Sequence, residues 1–192
     1  MHRLYLPFLL FFTTLVLSAC QTNYAELPTY SGARQLQVVI EVPAGDAHTT
    51  VYNKATRAFE KASETMLNSL PYPANYGFIP STEIEAEGRG LSAMVIANRA
   101  ESGTVLEVIP VATLMLEKPT GDLYPILVCT PARPSEQLIR AHNYAALSVE
   151  YPAIKSILQQ WFMSRSGTAQ LKFIGWKDEQ FAEKEIQRWM KL

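Results

Sequence analysis

The stretch Leu70-Pro71-Tyr72-Pro73-Ala74-Asn75-Tyr76-Gly77-Phe78-Ile79-Pro80 constrains this chain more than any other. Its three prolines fix φ and remove backbone donors, so neither a regular helix nor a central strand is expected to run through it. Gly77 is expected to hold a backbone conformation closed to other residues. Between these pivots Tyr72, Asn75 and Tyr76 carry polar groups on a stiff support. Two uses are open: the wall of a pocket, or a surface loop whose tyrosines cap the core.

The first residues are expected to be an export signal rather than part of the fold. His2 and Arg3 precede a nearly unbroken apolar run from Leu4 to Leu17, and Leu17-Ser18-Ala19-Cys20 closes it with small residues before a cysteine. The run is short for a membrane span. Its ending resembles a bacterial lipobox, which implies cleavage before Cys20 and acylation of that thiol; the alternative is an uncleaved N-terminal anchor. With the lipobox, acyl chains hold the mature protein at a membrane. Gln21 stands where aspartate would favour inner-membrane retention in the proteobacterial pattern. The expectation is therefore a cell-envelope protein facing the periplasm, on the outer rather than the inner membrane. This divides the chain into a signal peptide over 1–19, a lipidated tether over 20–35 and one domain over 36–192.

Cleavage leaves 173 residues, enough for one domain with its own core. Only Arg3 among the charged residues is removed, so 16 basic residues stand against 18 acidic ones and the net charge moves from −1 to −2. That balance argues against a nucleic-acid surface. With Cys20 committed to lipid, Cys129 is left without an internal disulfide partner and is expected to be a small core residue in Leu127-Val128-Cys129.

Along the domain, Leu36 to Val42 is strand-like and ends at the turn Pro43-Ala44-Gly45-Asp46. His48 to Glu64 allows a hairpin or a helix, with the hairpin favoured. Glu83-Ile84-Glu85-Ala86-Glu87 alternates as one face of an extended segment. Ser92 to Ala97, Thr104 to Leu116 and Leu123 to Thr130 are expected as strands, and this spacing points to a barrel or sandwich. Ile154, Ile157, Leu158, Trp161 and Phe162 form one apolar helix face. Ala169 to Ile174 is expected as a strand closed by Gly175-Trp176, and Asp178 as the cap of a last helix.

Val39-Ile40-Glu41-Val42-Pro43-Ala44, followed by Tyr72-Pro73-Ala74-Asn75-Tyr76-Gly77-Phe78-Ile79, resembles the family I soluble inorganic pyrophosphatases. Val111 to Pro131 looks like that family's central strand pair, and Trp161-Phe162 like its aromatic helix. The resemblance runs over about residues 36–190 and implies a mainly β fold with flanking helices, an OB-like five-stranded barrel. It implies Mg²⁺-dependent hydrolysis of diphosphate to two phosphates by a homo-oligomer. In such chemistry clustered carboxylates hold cations that neutralise phosphate and activate water. Carried onto this chain, the resemblance implies catalytic roles for Glu41, Asn75 and Tyr76. A metal set is drawn from Glu87, Glu117 and Asp122, and Arg89 contacts the diphosphate or another anion.

The departures are as informative. Where the family carries Asp-x-Asp-x-x-Asp, this chain has Glu87-Gly88-Arg89-Gly90-Leu91-Ser92. Arg89 repels the ion that a metal-ligating aspartate would bind. The family's phosphate-binding lysine falls near Thr49 or Thr50, its arginine near Ser63 or Glu64, and its Tyr-Lys pair near Arg165-Ser166. One misplaced catalytic group commonly costs a factor of about 10²–10⁴, roughly 3–5 kcal/mol of barrier. The expectation is an envelope lipoprotein with a pyrophosphatase-like domain of weak or absent activity. Two alternatives stay open: a divergent diphosphatase rebuilt on Glu83, Glu85 and Glu87 with Asp122 opposite, and a metal-free anion binder in which Arg89 supplies the positive charge. The glutamate row also suits a solvated strand edge, and His48 and His142 are expected to be exposed.

Overall fold

Leu36–Val42 (β1) is rich in β-branched residues and buried along nearly its whole length, as a strand covered on both faces must be. In the computed structural model, which describes residues 22–62, 70–84, 88–165 and 171–191, β1 is paired on both edges. One neighbour is Asn75–Phe78 (β4); the other is the first part of Val105–Glu117 (β6). Ser92–Val95 (β5) continues from β4, and Leu123–Pro131 (β7) lies between β5 and β6. The order β1-β4-β5-β7-β6 with the pairing of β6 back onto β1 closes a five-stranded ring, parallel only between β5 and β7. This is the OB-like barrel expected above. Thr50–Asn53 (β2) and Ala58–Lys61 (β3) form the favoured hairpin as a separate two-stranded sheet.

Apolar side chains serve both faces of the ring. On one, Met94, Leu114, Leu116, Ile126 and Val128 pack against Leu147, Leu158, Trp161 and Phe162. Those come from helices Tyr144–Glu150 (α1) and Pro152–Arg165 (α2). On the other, Val38, Ile40, Ala93, Val95, Leu127 and Cys129 pack with Ala182 and Ile186 of Glu179–Trp189 (α3). Asp178 caps α3 as expected, accepting the Phe181 N–H at 2.9 Å. Cys129 is fully buried, which pushes its thiol well above the ordinary range.

Four expectations are corrected. A central strand does run through the proline-rich stretch: β4 takes four of the six residues between Pro73 and Pro80, so the prolines flank the ladder instead of breaking it. Gly77 is needed for close approach rather than for an unusual φ, since a Cβ there would lie 1.9 Å from the Val39 carbonyl oxygen. Ile157 is 55% exposed, because the sheet-facing side of α2 is narrower than the periodicity implied. Gly175 and Trp176 lie inside strand Lys172–Lys177 (β8), paired with Met115 and Leu114 of β6, rather than closing it.

The segment before β1 is laid on the barrel and does not behave as a free linker. Tyr24 packs on Tyr52 and Phe59 at ring distances of 5.5 and 5.2 Å. The Thr29 hydroxyl donates to the Pro80 carbonyl at 2.9 Å, and the Tyr30 hydroxyl donates to Glu183 at 3.0 Å.

Candidate functional site

Pairing of Val39 with Phe78, Ile40 with Gly77 and Val42 with Tyr76 leaves Glu41 as the extra residue of a β-bulge. Bulges re-aim side chains, and this one stands at the rim of a cleft of about 370 Å³. The cleft is lined by Glu41, Tyr52, Asn53, Lys54, Phe78 and Arg89 among others. The Glu41 side chain is only 3% exposed. Its Oε1 accepts the Tyr52 N–H at 2.8 Å, and its Oε2 lies 3.5 Å from Arg89 Nη2. Burial pushes the Glu41 carboxyl above its ordinary range, with the Tyr52 amide and the Arg89 guanidinium opposing that rise. A second cation, Lys54, donates to the Gly88 carbonyl at 2.6 Å and lies 3.6 Å from Glu83, which also pairs with Lys191.

Beside the cleft is a hydroxyl network. Tyr76 donates to Ser92 Oγ at 2.9 Å, and its hydroxyl is 2.7 Å from that of Tyr124. Burial first, then Tyr124, holds the Tyr76 phenol well above its usual range, while nearby Arg89 pulls the other way. Tyr76 is thus a neutral hydrogen-bonding group rather than a phenolate base. Lys118 Nζ sits 4.9 Å from the centre of the Tyr124 ring.

Asn75 is fully buried and its amide ties loops together. Oδ1 accepts the Ala44 and Ala100 N–H groups at 3.0 and 2.9 Å, and Nδ2 donates to the Asn98 carbonyl at 2.9 Å.

This geometry coincides with a likeness that spans the domain. The inorganic pyrophosphatase family model matches residues 38–192. The chain belongs to the inorganic pyrophosphatase family. It is 30% identical over 159 residues to the inorganic pyrophosphatase of Methanosarcina mazei, covering 80% of this chain and 89% of that one. It is 26% identical over 154 residues to that of Agrobacterium fabrum, covering 79% and 85%. Among solved structures, the Thermus thermophilus inorganic pyrophosphatase superposes with a TM-score of 0.76 at 25% identity, over 86% of this chain and 95% of the other. The Coxiella burnetii protein, at 0.70 and 23%, covers 85% and 98% and shares the fold.

Of the expected site residues that the structure describes, Arg89 meets Glu41 and acts on the nearby Tyr76 phenol, while Glu117 and Asp122 make other contacts. Glu117, at the end of β6, lies 3.7 Å from Lys172, on a surface recess separate from the Glu41 cleft. Asp122 accepts the Thr120 hydroxyl at 2.7 Å in the β6–β7 turn. Glu87 and Glu85 lie outside the described residues, as do Cys20, Ser63, Glu64 and Ser166. Among the described residues no three Asp, Glu, His or Cys side chains converge as metal ligands. Glu83 is turned to Lys54 and Lys191, and Glu41 faces a guanidinium. The described residues do not fit a site for clustered divalent cations. Thr49 reaches the Tyr72 hydroxyl at 2.9 Å, and both His48 and His142 are exposed.

Tyr52, Lys54 and Tyr124 join the site without a signal strong enough to mark them in sequence, whereas Ser92 stands at the third position of the acidic signature. The parallel pairing of β5 with β7, not proximity in the chain, sets Ser92 near Tyr124. Lys54 had a weak signal, a cation at a hairpin turn.

Proposed function

We propose that the protein is an envelope lipoprotein, acylated at Cys20, whose pyrophosphatase-like domain hydrolyses diphosphate weakly or not at all. The observation that carries this is Arg89, whose guanidinium stands 3.5 Å from the buried Glu41 carboxylate where the family places a metal-ligating aspartate. A fixed cation there satisfies the carboxylate and repels the Mg²⁺ that the reaction needs. The described carboxylates do not compensate, since Glu117 and Asp122 are engaged elsewhere. Losses of several such groups are not additive, but they do not rescue one another.

The deciding measurement is phosphate release from diphosphate by the purified protein with Mg²⁺, Mn²⁺ or Zn²⁺. The expected rate is background with all three, and turnover within about 10³ of ordinary enzymes, whose kcat is roughly 1–10³ per second, would overturn the proposal. A second reading, a metal-free anion binder, is favoured by Arg89 and Lys54 lining one cleft. Calorimetry with phosphate and diphosphate in EDTA tests it, and Arg89→Ala is expected to remove the heat of binding.

A further inference from the structure

Tyr52 of β2 grips the start of the described chain. Its hydroxyl donates to the Thr22 carbonyl at 3.3 Å and accepts the Tyr24 N–H at 3.2 Å. From Thr22 onward the chain is therefore fastened to the β2–β3 hairpin, and Tyr24 lies against both Tyr52 and Phe59. Cys20 stands two residues earlier, so at most about 7 Å of extended backbone separates it from Thr22. A bilayer that takes up acyl chains on Cys20 is thereby brought to roughly a side-chain length from the hairpin.

The hairpin has the charge to meet such a surface. Residues 50–61 carry Lys54, Arg57 and Lys61 against Glu60, with Lys54 also 3.6 Å from Glu83, in a mature chain whose net charge is −2. All of Lys54 to Arg57 and Lys61 are exposed. Glu60 is exposed as well, its carboxylate accepting from Thr56 at 2.5 Å and from Asn53 at 3.0 Å. Lys172, by contrast, pairs with Glu117 at the end of β6 remote from the Val105–Val108 segment that joins β1.

Resting on acylation of Cys20, we propose that the β2–β3 hairpin face lies on a lipid surface, with Lys54, Arg57 and Lys61 against the phosphate groups of anionic phospholipid. Two observations act together: the leash is too short to let the domain swing free, and the hairpin it fastens carries three exposed cations, at its turn and at its open end. Asn53, Lys54 and Ala55, at the mouth of the Glu41 cleft, are then turned toward the headgroups.

The test uses the full-length processed protein in nanodiscs of phosphatidylcholine with or without phosphatidylglycerol. Lysine acylation rates are read by mass spectrometry, and the N-terminal peptide of the same digest reports lipidation. Near an anionic surface each basic residue contributes a factor of about five. Lys54 and Lys61 are therefore expected to label about fivefold more slowly in anionic discs than after dissolution in nonionic detergent, with Lys172 unchanged. Arg57→Glu is expected to remove much of the protection of Lys61 in anionic discs, and full protection in that variant would overturn the role of charge. Equal labelling in discs and detergent, with an acylated N-terminal peptide, overturns the orientation and leaves anchoring intact. An N-terminal peptide without acyl mass removes both.

Discussion

At Glu41, burial and the contact to Arg89 act in opposite directions on one carboxylate, and burial is the larger. The folded-state pKa therefore lies above the ordinary 4.5. A group raised on folding contributes stability that is complete below its unfolded pKa and is lost as pH rises through the folded one. Glu41→Gln keeps an acceptor for the Tyr52 N–H and removes the titration. The advantage of wild type over this variant in thermal midpoint is expected to shrink as pH rises from about 4.5, then level off. A constant difference from pH 4 to 8 would contradict it. Asn75 works differently, through saturation of its amide. Asn75→Ala strands two N–H groups and a carbonyl, each worth about 1–3 kcal/mol, so a loss of roughly 3 kcal/mol or more is expected as a lower urea midpoint at unchanged m. The identity of Asn75 was conspicuous in sequence; its use as a loop clamp was not, because its partners lie 23 to 31 residues away.

At the scale of elements, α2 separates periodicity from packing. Ile157 and Trp161 share the apolar pattern, yet Ile157 faces solvent. Trp161 is 7% exposed, holds its ring centre 4.5 Å from that of Tyr72 at a 49° tilt and donates to the Pro71 carbonyl at 2.8 Å. Trp161→Ala is expected to cost about 3–5 kcal/mol and to loosen the proline-rich stretch, while Ile157→Lys stays within about 0.5 kcal/mol; denaturant titration of both compares them. β4 shows the converse. Its residues looked unfit for a central strand, but four residues between prolines are enough when Gly77 lets the Val39 backbone approach. The strands β5 to β7 are instead near-continuous runs buried on both faces over most of their length, as a ring packed inside and out requires.

For the whole molecule, the segment before β1 is part of the domain's packing and not a spacer. Tyr24 bridges to Tyr52 and Phe59, and each aromatic pair is worth about 0.5–1.5 kcal/mol beyond area burial. Tyr24→Ala is expected to lower stability by about 1–3 kcal/mol in urea unfolding and to expose the segment to proteases. A free tether would show neither effect. The same packing fastens the chain to the domain from Thr22 onward.

What the amino-acid order determined by itself was the strands other than β4, the capped last helix, the family likeness carried by Tyr72 to Ile79, and the substitution of Arg89 into an acidic signature. These are local: period, turn chemistry and residue identity act within a few positions. Only the tertiary structure decided which groups meet. Arg89 reaches Glu41 across 48 residues, Tyr76 reaches Tyr124 across 48, and Glu117 is drawn to Lys172 instead of to the cleft. Ring closure of β6 onto β1, the bulge at Glu41 and the parallel pairing of β5 with β7 set those meetings, and no local period encodes them. The proline-rich stretch at Leu70–Pro80 draws on both: its residues announced the fold, and its neighbours determined that the Tyr76 hydroxyl joins a network with Ser92 and Tyr124.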